Sequence, residues 1–251
     1  MFKVGLNTTR YGKMMYLTTD MFFSCCLEQG HIFEEELVET FLSNIIKKSN
    51  TILDIGAHCG SHSIMYSSIN PACEIFAFEP QKVIFDLLKC NIALNNLHDR
   101  VHAFNIALGN KHCSASMHNK CVDGDNTHIP LNNTHNFNFG GLQIGLGGDP
   151  IEIQTVDSLK FDKKIDFIKI DVEGFEDFVI DGALKTITKD RPVIFFEKND
   201  KVKTVNMLGF YTETSKDIMQ VLLELNYNIV PLPSANFLAV PLTTELESSS
   251  P

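Results

Sequence analysis

Apolar positions recur along this chain in two alternating patterns: short continuous runs, and longer stretches spaced three and four residues apart. Thr51–Ile55, Glu74–Glu79, Val101–Ile106, Ile151–Val156, Ile165–Val172 and Pro192–Glu197 are runs of the first kind and read as buried strands. Ser61–Ser67, Lys82–Leu94 and Phe175–Ile187 are of the second kind and read as helices, with Ser61 as an N-cap. Val83, Leu87, Cys90 and Leu94 are expected on the buried face of the second helix. Strands alternating with helices predict an α/β fold, a doubly wound and mostly parallel sheet of Rossmann-like form.

Glu34–Lys48 carries Leu37, Phe41, Ile45 and Ile46 at helical spacing and predicts an amphipathic helix leading into this domain. Residues 1–35 hold short alternating or aromatic segments, such as Lys13–Leu17 and Met21-Phe22-Phe23, and read as a small β-rich extension packed on a main domain of residues 36–242. The pattern dissolves between Gly109 and Asp149 into Asn, His, Gly and Ser, which marks residues 110–150 as a lid or β-insertion. Residues 243–251 read as a flexible tail.

Composition narrows the classes. With 251 residues, 44% hydrophobic and 21% charged, the chain is an ordinary globular domain. Its 21 Lys and Arg face 31 Asp and Glu, a formal charge of −10, which argues against nucleic acid as a partner. No apolar run approaches the roughly 20 residues of a membrane helix. Met1–Tyr16 lacks the continuous hydrophobic segment of a signal peptide, and the seven cysteines form no paired zinc-ligand spacing. A cytoplasmic protein with reduced thiols is expected, and the two glycosylation sequons, at Asn7 and Asn132, are read as accidental.

Asp54-Ile55-Gly56-Ala57-His58-Cys59-Gly60-Ser61 turns from strand to helix through two glycines. Gly56 and Gly60 allow close backbone approach to a ligand, and amides at the helix start favour an anionic group. The GxxxG spacing is neither the GxGxxG of a dinucleotide site nor a P-loop, so NAD and ATP lose ground. Glu79 ends the second strand, where a carboxylate accepts from the hydroxyls of a ribose, and Pro80 stops the strand.

These residues, with Asn105-x-Ala107-Leu108-Gly109, Ile168-Lys169-Ile170-Asp171-Val172-Glu173-Gly174 and Pro192–Glu197, resemble FkbM-type S-adenosylmethionine-dependent O-methyltransferases over roughly residues 30–240. The resemblance implies a class I methyltransferase fold, S-adenosyl-L-methionine as cofactor, and methylation of hydroxyls on sugars or polyketide-like small molecules. It implies cofactor contacts from Glu34, Asp54, Gly56, Ala57, His58, Gly60, Ser61, Glu79, Pro80, Asn105, Ala107 and Asp171. His58-Cys59 departs from the family's Asn and small residue, and residues 110–150 show no family pattern. Glu34 is either a partner of the methionine ammonium or a charge at a helix N-terminus.

Methyl transfer to an alcohol needs in-line positioning and a base for the hydroxyl proton. Asp171 and Glu173, two apart at a strand end, are expected on one face: Asp171 as general base, Glu173 orienting substrate or cofactor. Read structurally, the same pair caps and supports the loop. As hard-oxygen ligands the two could also hold Mg²⁺ or Ca²⁺, but spacing supplies no third ligand, and no metal is expected. Glu197 is a further candidate at the same crevice. His112, His118, His128 and His135 match no metal spacing and read as solvated loop residues; the glycine-rich 138–148 segment reads as a lid edge. An RNA or protein methyltransferase, a catalytically lapsed cofactor-binding regulator, and a dehydrogenase are the competing readings.

Overall fold

The computed structural model describes residues 2–119, 137–145, 147–198 and 216–242. The chain opens with an antiparallel hairpin, β1 (Val4–Thr8) and β2 (Lys13–Leu17). Then Met21–Glu28 forms helix α1, where aromatic β-segments were expected. Ser24 and Leu27, three apart, are its buried residues, so helical spacing prevails over the β-propensity of Phe22-Phe23.

Next come α2 (Glu35–Leu37), a π-helical turn (Val38–Leu42) and α3 (Ser43–Ile46). The buried residues here are Val38, Leu42 and Ile46; of the expected four, Ile46 is buried, Leu37 and Ile45 are partly buried, and Phe41 is exposed. The main sheet begins with β3 (Thr51–Ile55), followed by α4 (Ser61–Ile69), β4 (Glu74–Phe78), α5 (Lys82–Leu94) and β5 (Val101–Phe104). Ser61 is the first helical residue of α4, not its cap; Gly60, at φ 86°, holds the cap position. On α5 the buried residues are Ile84, Phe85, Leu87, Leu88, Asn91 and Ile92, and of the expected four only Leu87 is among them.

Asn91 shows why that face turns. Its amide donates to the carbonyls of Met15 (3.0 Å) and Cys59 (2.8 Å) and its Oδ1 accepts from the Met15 amide (2.6 Å). The hairpin therefore packs on α5, and a buried polar residue is satisfied by backbone groups 76 and 32 positions away.

The 110–150 stretch is a β-insertion in the described residues. Strands β6 (Ala107–Leu108), β7 (Cys113–His118), β8 (Ile144–Gly145) and β9 (Gly147–Gln154) form a separate sheet in the order β6-β9-β7-β8. Phe137 and Phe139 are buried against one another, with ring centroids 5.2 Å apart, and are core residues of this insertion. His128 and His135, the Asn132 sequon and the tail after Leu242 lie outside the described residues.

The chain then runs through β10 (Phe167–Ile170), α6 (Glu176–Asp181), α7 (Leu184–Asp190) and β11 (Val193–Glu197). The single helix expected over 175–187 breaks at Gly182, where a Cβ would stand 1.9 Å from the Gly109 carbonyl oxygen. Helix α8 (Ile218–Glu224) and strands β12 (Tyr227–Pro231) and β13 (Asn236–Pro241) complete the chain.

The seven-stranded sheet has the order β12-β13-β11-β10-β3-β4-β5. Its central pairs β11–β10, β10–β3, β3–β4 and β4–β5 are parallel, and β13 runs antiparallel to both its neighbours. Chain order reverses between β3 and β10, and the crevice outside the carboxyl ends at such a switch point is where ligands bind in open α/β sheets.

Candidate active site

Strand register assembles the site. Phe78, Ile55, Ile170 and Phe196 are mutual partners across four parallel strands, so the next residue of each chain segment reaches the carboxyl edge in the same row. That row reads Glu79, Gly56, Asp171, Glu197. It extends to Asn236, paired with Glu197 on β13, and to Asn105, which follows the Phe78–Phe104 pair. Adjacent strands stand roughly 4.8 Å apart, so side chains remote in sequence face one crevice.

A cavity of about 1150 Å³ of empty space, counted to its open mouth, covers this row. Among the predicted site residues Glu34, Gly56, His58, Glu79, Pro80, Ala107, Asp171, Glu173 and Glu197 line it. Asp54, Ala57, Gly60, Ser61 and Asn105 are not among its lining residues. Asn105 Nδ2 donates to the carbonyls of Glu79 (2.9 Å) and Pro80 (3.0 Å). Gly60 lets α5 approach, since a Cβ there would meet Leu88 Cδ1 at 2.5 Å.

Gly56 serves the protein's own packing. At φ 77° it occupies the left-handed region, and a Cβ would lie 1.8 Å from the Asp171 carbonyl oxygen. The loops after β3 and β10 touch there. Amides of the loop before α4 are engaged inside the protein: those of Gly56 and Ala57 donate to Phe78 O, that of His58 to Glu79 Oε2 (2.9 Å), and that of Gly60 to Ala57 O. Glu79 also accepts from the Gln81 amide through Oε1 (2.8 Å). Each of its oxygens keeps a second lone pair for a ligand hydroxyl.

Asp171 lies beyond the end of β10, and Glu173, at φ 54°, is not in extended backbone. The pair thus meets the cavity through a tight loop, and not by strand alternation. Glu176 holds that loop, its Oε1 accepting from the amides of Val172 (3.2 Å) and Gly174 (3.1 Å). Burial pushes the Glu176 carboxyl up to about 7 against those amides.

Lys169 is the residue that spacing alone does not single out. It is 2% exposed, and its ammonium donates to the Gly56 carbonyl at 2.7 Å, with Asp171 Oδ2 at 3.2 Å and Asp54 Oδ1 at 3.6 Å. Burial opposes its charge, but Asp171, Asp54 and Glu34 together raise its pKa above the ordinary lysine value. A lone lysine inside the apolar run Phe167–Ile170 was the available signal, because a lysine is almost never buried without partners. Asp54 completes the layer under the cavity by accepting from Ser63 Oγ at 2.6 Å.

Glu34 Oε1 accepts from Asn236 Nδ2 at 2.8 Å, and its Oε2 stands 3.6 Å from His62 Nε2. Burial and the nearby Lys169 hold His62 down to about 4, so that ring is neutral at pH 7. His58 is the opposite case. Its Nε2 is 3.2 Å from Asp20 Oδ2 and its ring stacks on Phe23 at 4.0 Å. Burial opposes the imidazolium, yet the Asp20 carboxylate outweighs it and holds the pKa well above the ordinary value. The N-terminal segment thereby reaches the first loop of the main sheet.

Carboxylate oxygens of Glu197 and Asp171 lie within 4.8 Å of one another. Burial and the Asp171 charge push Glu197 up to about 8, while Lys169 overcomes burial and keeps Asp171 below its ordinary value. Glu197 therefore carries a proton at pH 7. A carboxyl raised from 4.5 to about 8 on folding contributes stability that is full below pH 4.5 and lost as pH rises towards 8. Between pH 5 and pH 9 the unfolding midpoint of Glu197→Gln should fall less steeply than that of the unmodified protein. Equal slopes, measured by circular dichroism, would place the proton elsewhere.

Ligand oxygens of Asp171, Glu173 and Glu197 all lie within 4.8 Å of one another, so folding brings up the third carboxylate that spacing did not supply. The Lys169 ammonium already stands against one member of that cluster.

The model of the Methyltransferase FkbM domain matches residues 54–229. The 2-O-methyltransferase NoeI of Sinorhizobium fredii (strain NBRC 101917 / NGR234) is 27% identical over 169 residues, 64% of this chain and 68% of the relative. The crystal structure of methyltransferase FkbM from Methylobacillus flagellatus KT superposes with a TM-score of 0.50 at 16% identity, over 76% of this chain. The chain spans only 43% of that larger structure's length, and the likeness is one of fold. No helix among the described residues is long and apolar enough to cross a membrane. With a sheet of class I methyltransferase topology and a family match running from Asp54 at the first strand to Ile229 near the last, this chain belongs to the FkbM methyltransferase family.

Proposed function

We propose that the protein is an S-adenosylmethionine-dependent O-methyltransferase that acts on a hydroxyl of a sugar, glycan or other small molecule, with Asp171 as general base. The observation that carries this reading is the single row Glu79, Gly56, Asp171, Glu197 along one cavity at the switch point of the sheet. The donor set suits a cationic cofactor. Five carboxyl groups, those of Glu34, Glu79, Asp171, Glu173 and Glu197, line the cavity, and among the described residues no Lys or Arg does.

When bound, S-adenosylmethionine supplies an electrophilic methyl group on sulfur. Glu79 would accept from its ribose hydroxyls, Glu34 would meet its ammonium, and Pro80 and Ala107 would complete its site. Asp171, kept ionised by Lys169, takes the proton of the acceptor hydroxyl, and the protonated Glu197 stands beside the Asp171 carboxylate. Glu173 orients the acceptor. We assign Asp171, Glu173 and Glu197 to this proton chemistry and not to a metal, because Lys169 supplies the countercharge that a cation would otherwise provide. An RNA acceptor is disfavoured by the same lining, since phosphates need Lys or Arg.

Thermal stability with S-adenosylmethionine, S-adenosylhomocysteine, NAD and ATP tests the cofactor. A ligand at about 100 times its dissociation constant adds roughly 2.7 kcal/mol, which in a protein of this size raises the midpoint by about 5–11 °C. The two adenosyl compounds alone should do so. A shift with NAD or ATP instead, or none with the adenosyl pair, would remove the methyl-transfer reading.

A further inference from the structure

The cavity has two chemically different walls. One is the carboxylate row. The other part of its lining comes from the N-terminal segment and the β-insertion and is largely apolar, with Phe22, Phe23 and Phe33 from the first and Met117, Leu142 and Ile144 from the second. Phe23 and Phe33 stand with ring centroids 5.4 Å apart, and Phe22 and Phe33 remain 41% and 36% exposed at the mouth. Large aromatic side chains left in water beside a cavity mark a surface that contacts something apolar.

Beyond the mouth a second groove shares Phe33, Glu34 and Ser234 with the first. It continues along α2 past Leu37 and the exposed Phe41. Its charged lining is again acidic, with Glu35, Glu36 and Glu39; His31 is its sole basic group among the described residues, and the neighbouring Arg10 is engaged by Glu39 at 2.7 Å. The path from the carboxylate row outward thus offers aromatic faces and negative charge, and its basic groups among the described residues, His58 and His31, stand against Asp20 and Glu35.

We propose that the acceptor is an uncharged hydroxyl compound carrying an apolar arm, an aryl ring or acyl or alkyl chain, which lies against Phe22, Phe23 and Phe33 while its hydroxyl faces Asp171. The inference rests on the O-methyltransferase reading and narrows its substrate class. It disfavours sugar phosphates, nucleotides and sulfated glycans, whose charge would meet carboxylates while the described imidazoles are already engaged by Asp20 and Glu35. It also separates two functions along the cavity: the strand-end row handles the proton, and the N-terminal aromatic wall selects the acceptor.

Calorimetric titration of the full chain tests this, first with S-adenosylhomocysteine and then, in its saturating presence, with three probes. These are hexyl β-D-glucoside, methyl β-D-glucoside and glucose 1-phosphate. Each buried methylene strengthens binding about fourfold, so burying two of the additional five in the hexyl chain makes that probe bind at least about tenfold more tightly than the methyl compound. Phe22→Ser and Phe33→Ser, tested separately at half-exposed positions, should each reduce that gain, and S-adenosylhomocysteine should bind both variants as it binds the parent. Equal affinity for the two glucosides, no measurable binding of the hexyl glucoside, tighter binding of the phosphate, or a gain that survives both substitutions would overturn the proposal. Failure of the underlying reading looks different: S-adenosylhomocysteine itself would not bind.

Discussion

Asp171→Asn should lower methyl transfer by about 10²–10⁴-fold while S-adenosylmethionine binds within a few fold of its normal affinity. The substitution keeps the size of the side chain and its hydrogen-bond reach, and removes the basic oxygen. Asp171 suits the proton-accepting task because its surroundings divide labour between two carboxyl groups. Lys169, 3.2 Å away, keeps Asp171 ionised, and Glu197 next to it carries a proton. Without the Asp171 charge, one cause of the raised Glu197 pKa disappears, so the titration of the pair should collapse towards a single carboxyl of lower pKa. Single-turnover kinetics and calorimetry separate the two readouts. Turnover unchanged in Asp171→Asn would end the general-base assignment, whereas equal loss of turnover and cofactor binding would make Asp171 a cofactor ligand alone.

Lys169→Met should destabilise the fold by about 3–5 kcal/mol, the usual cost of removing one partner from a buried ion pair. For a chain of this length that lowers the unfolding midpoint by roughly 6–20 °C. Methionine fills similar volume, so the loss is electrostatic and polar: the Gly56 carbonyl loses its 2.7 Å donor, and Asp54, fully buried, retains only Ser63 as a partner. The sign with pH follows. Asp171, depressed on folding, contributes stability above its unfolded value of 3.8 that is lost as pH falls through the folded value. Without Lys169 that contribution goes, so the variant's deficit should be large at pH 7 and should shrink on acidification. A loss under about 1 kcal/mol at pH 7, read from urea unfolding, would show that the network is dispensable.

Much of the architecture was legible because it is local. Helix α5 spans Lys82–Leu94 as its periodicity predicts, and five of the six short apolar runs became strands of the mostly parallel sheet; the sixth, Ile151–Val156, falls largely in β9 of the insertion's sheet. Where reading failed, a distant contact had overruled local preference. On α5 the face turned because Asn91 answers the backbone of β2 and of the first loop. The helix over 175–187 broke because Gly182 packs against Gly109. The Phe22-Phe23 segment became helical because Ser24 and Leu27 are the residues that find a buried surface.

The candidate site divides along the same line. Strand ends carry Glu79, Asp171 and Glu197, and an acidic residue following an apolar run is visible in one dimension. Their register is not. Glu197 joins Asp171 only because Phe196 pairs with Ile170, and Asp20 reaches His58 only because the N-terminal segment folds over the first loop.

By itself, then, the sequence determined the order β3-α4-β4-α5-β5 and the later strands β10 and β11, the acidic strand ends and the family motifs, since all of these are set by side chains within a few positions of each other. The tertiary structure alone decided which carboxyl is charged and which protonated, why Gly56 must be glycine, and that Lys169 sits beneath the cavity 113 residues from the carbonyl it holds. Ionisation and close approach depend on burial and on distances through space, and neither quantity exists until the sheet has brought β3, β10 and β11 side by side.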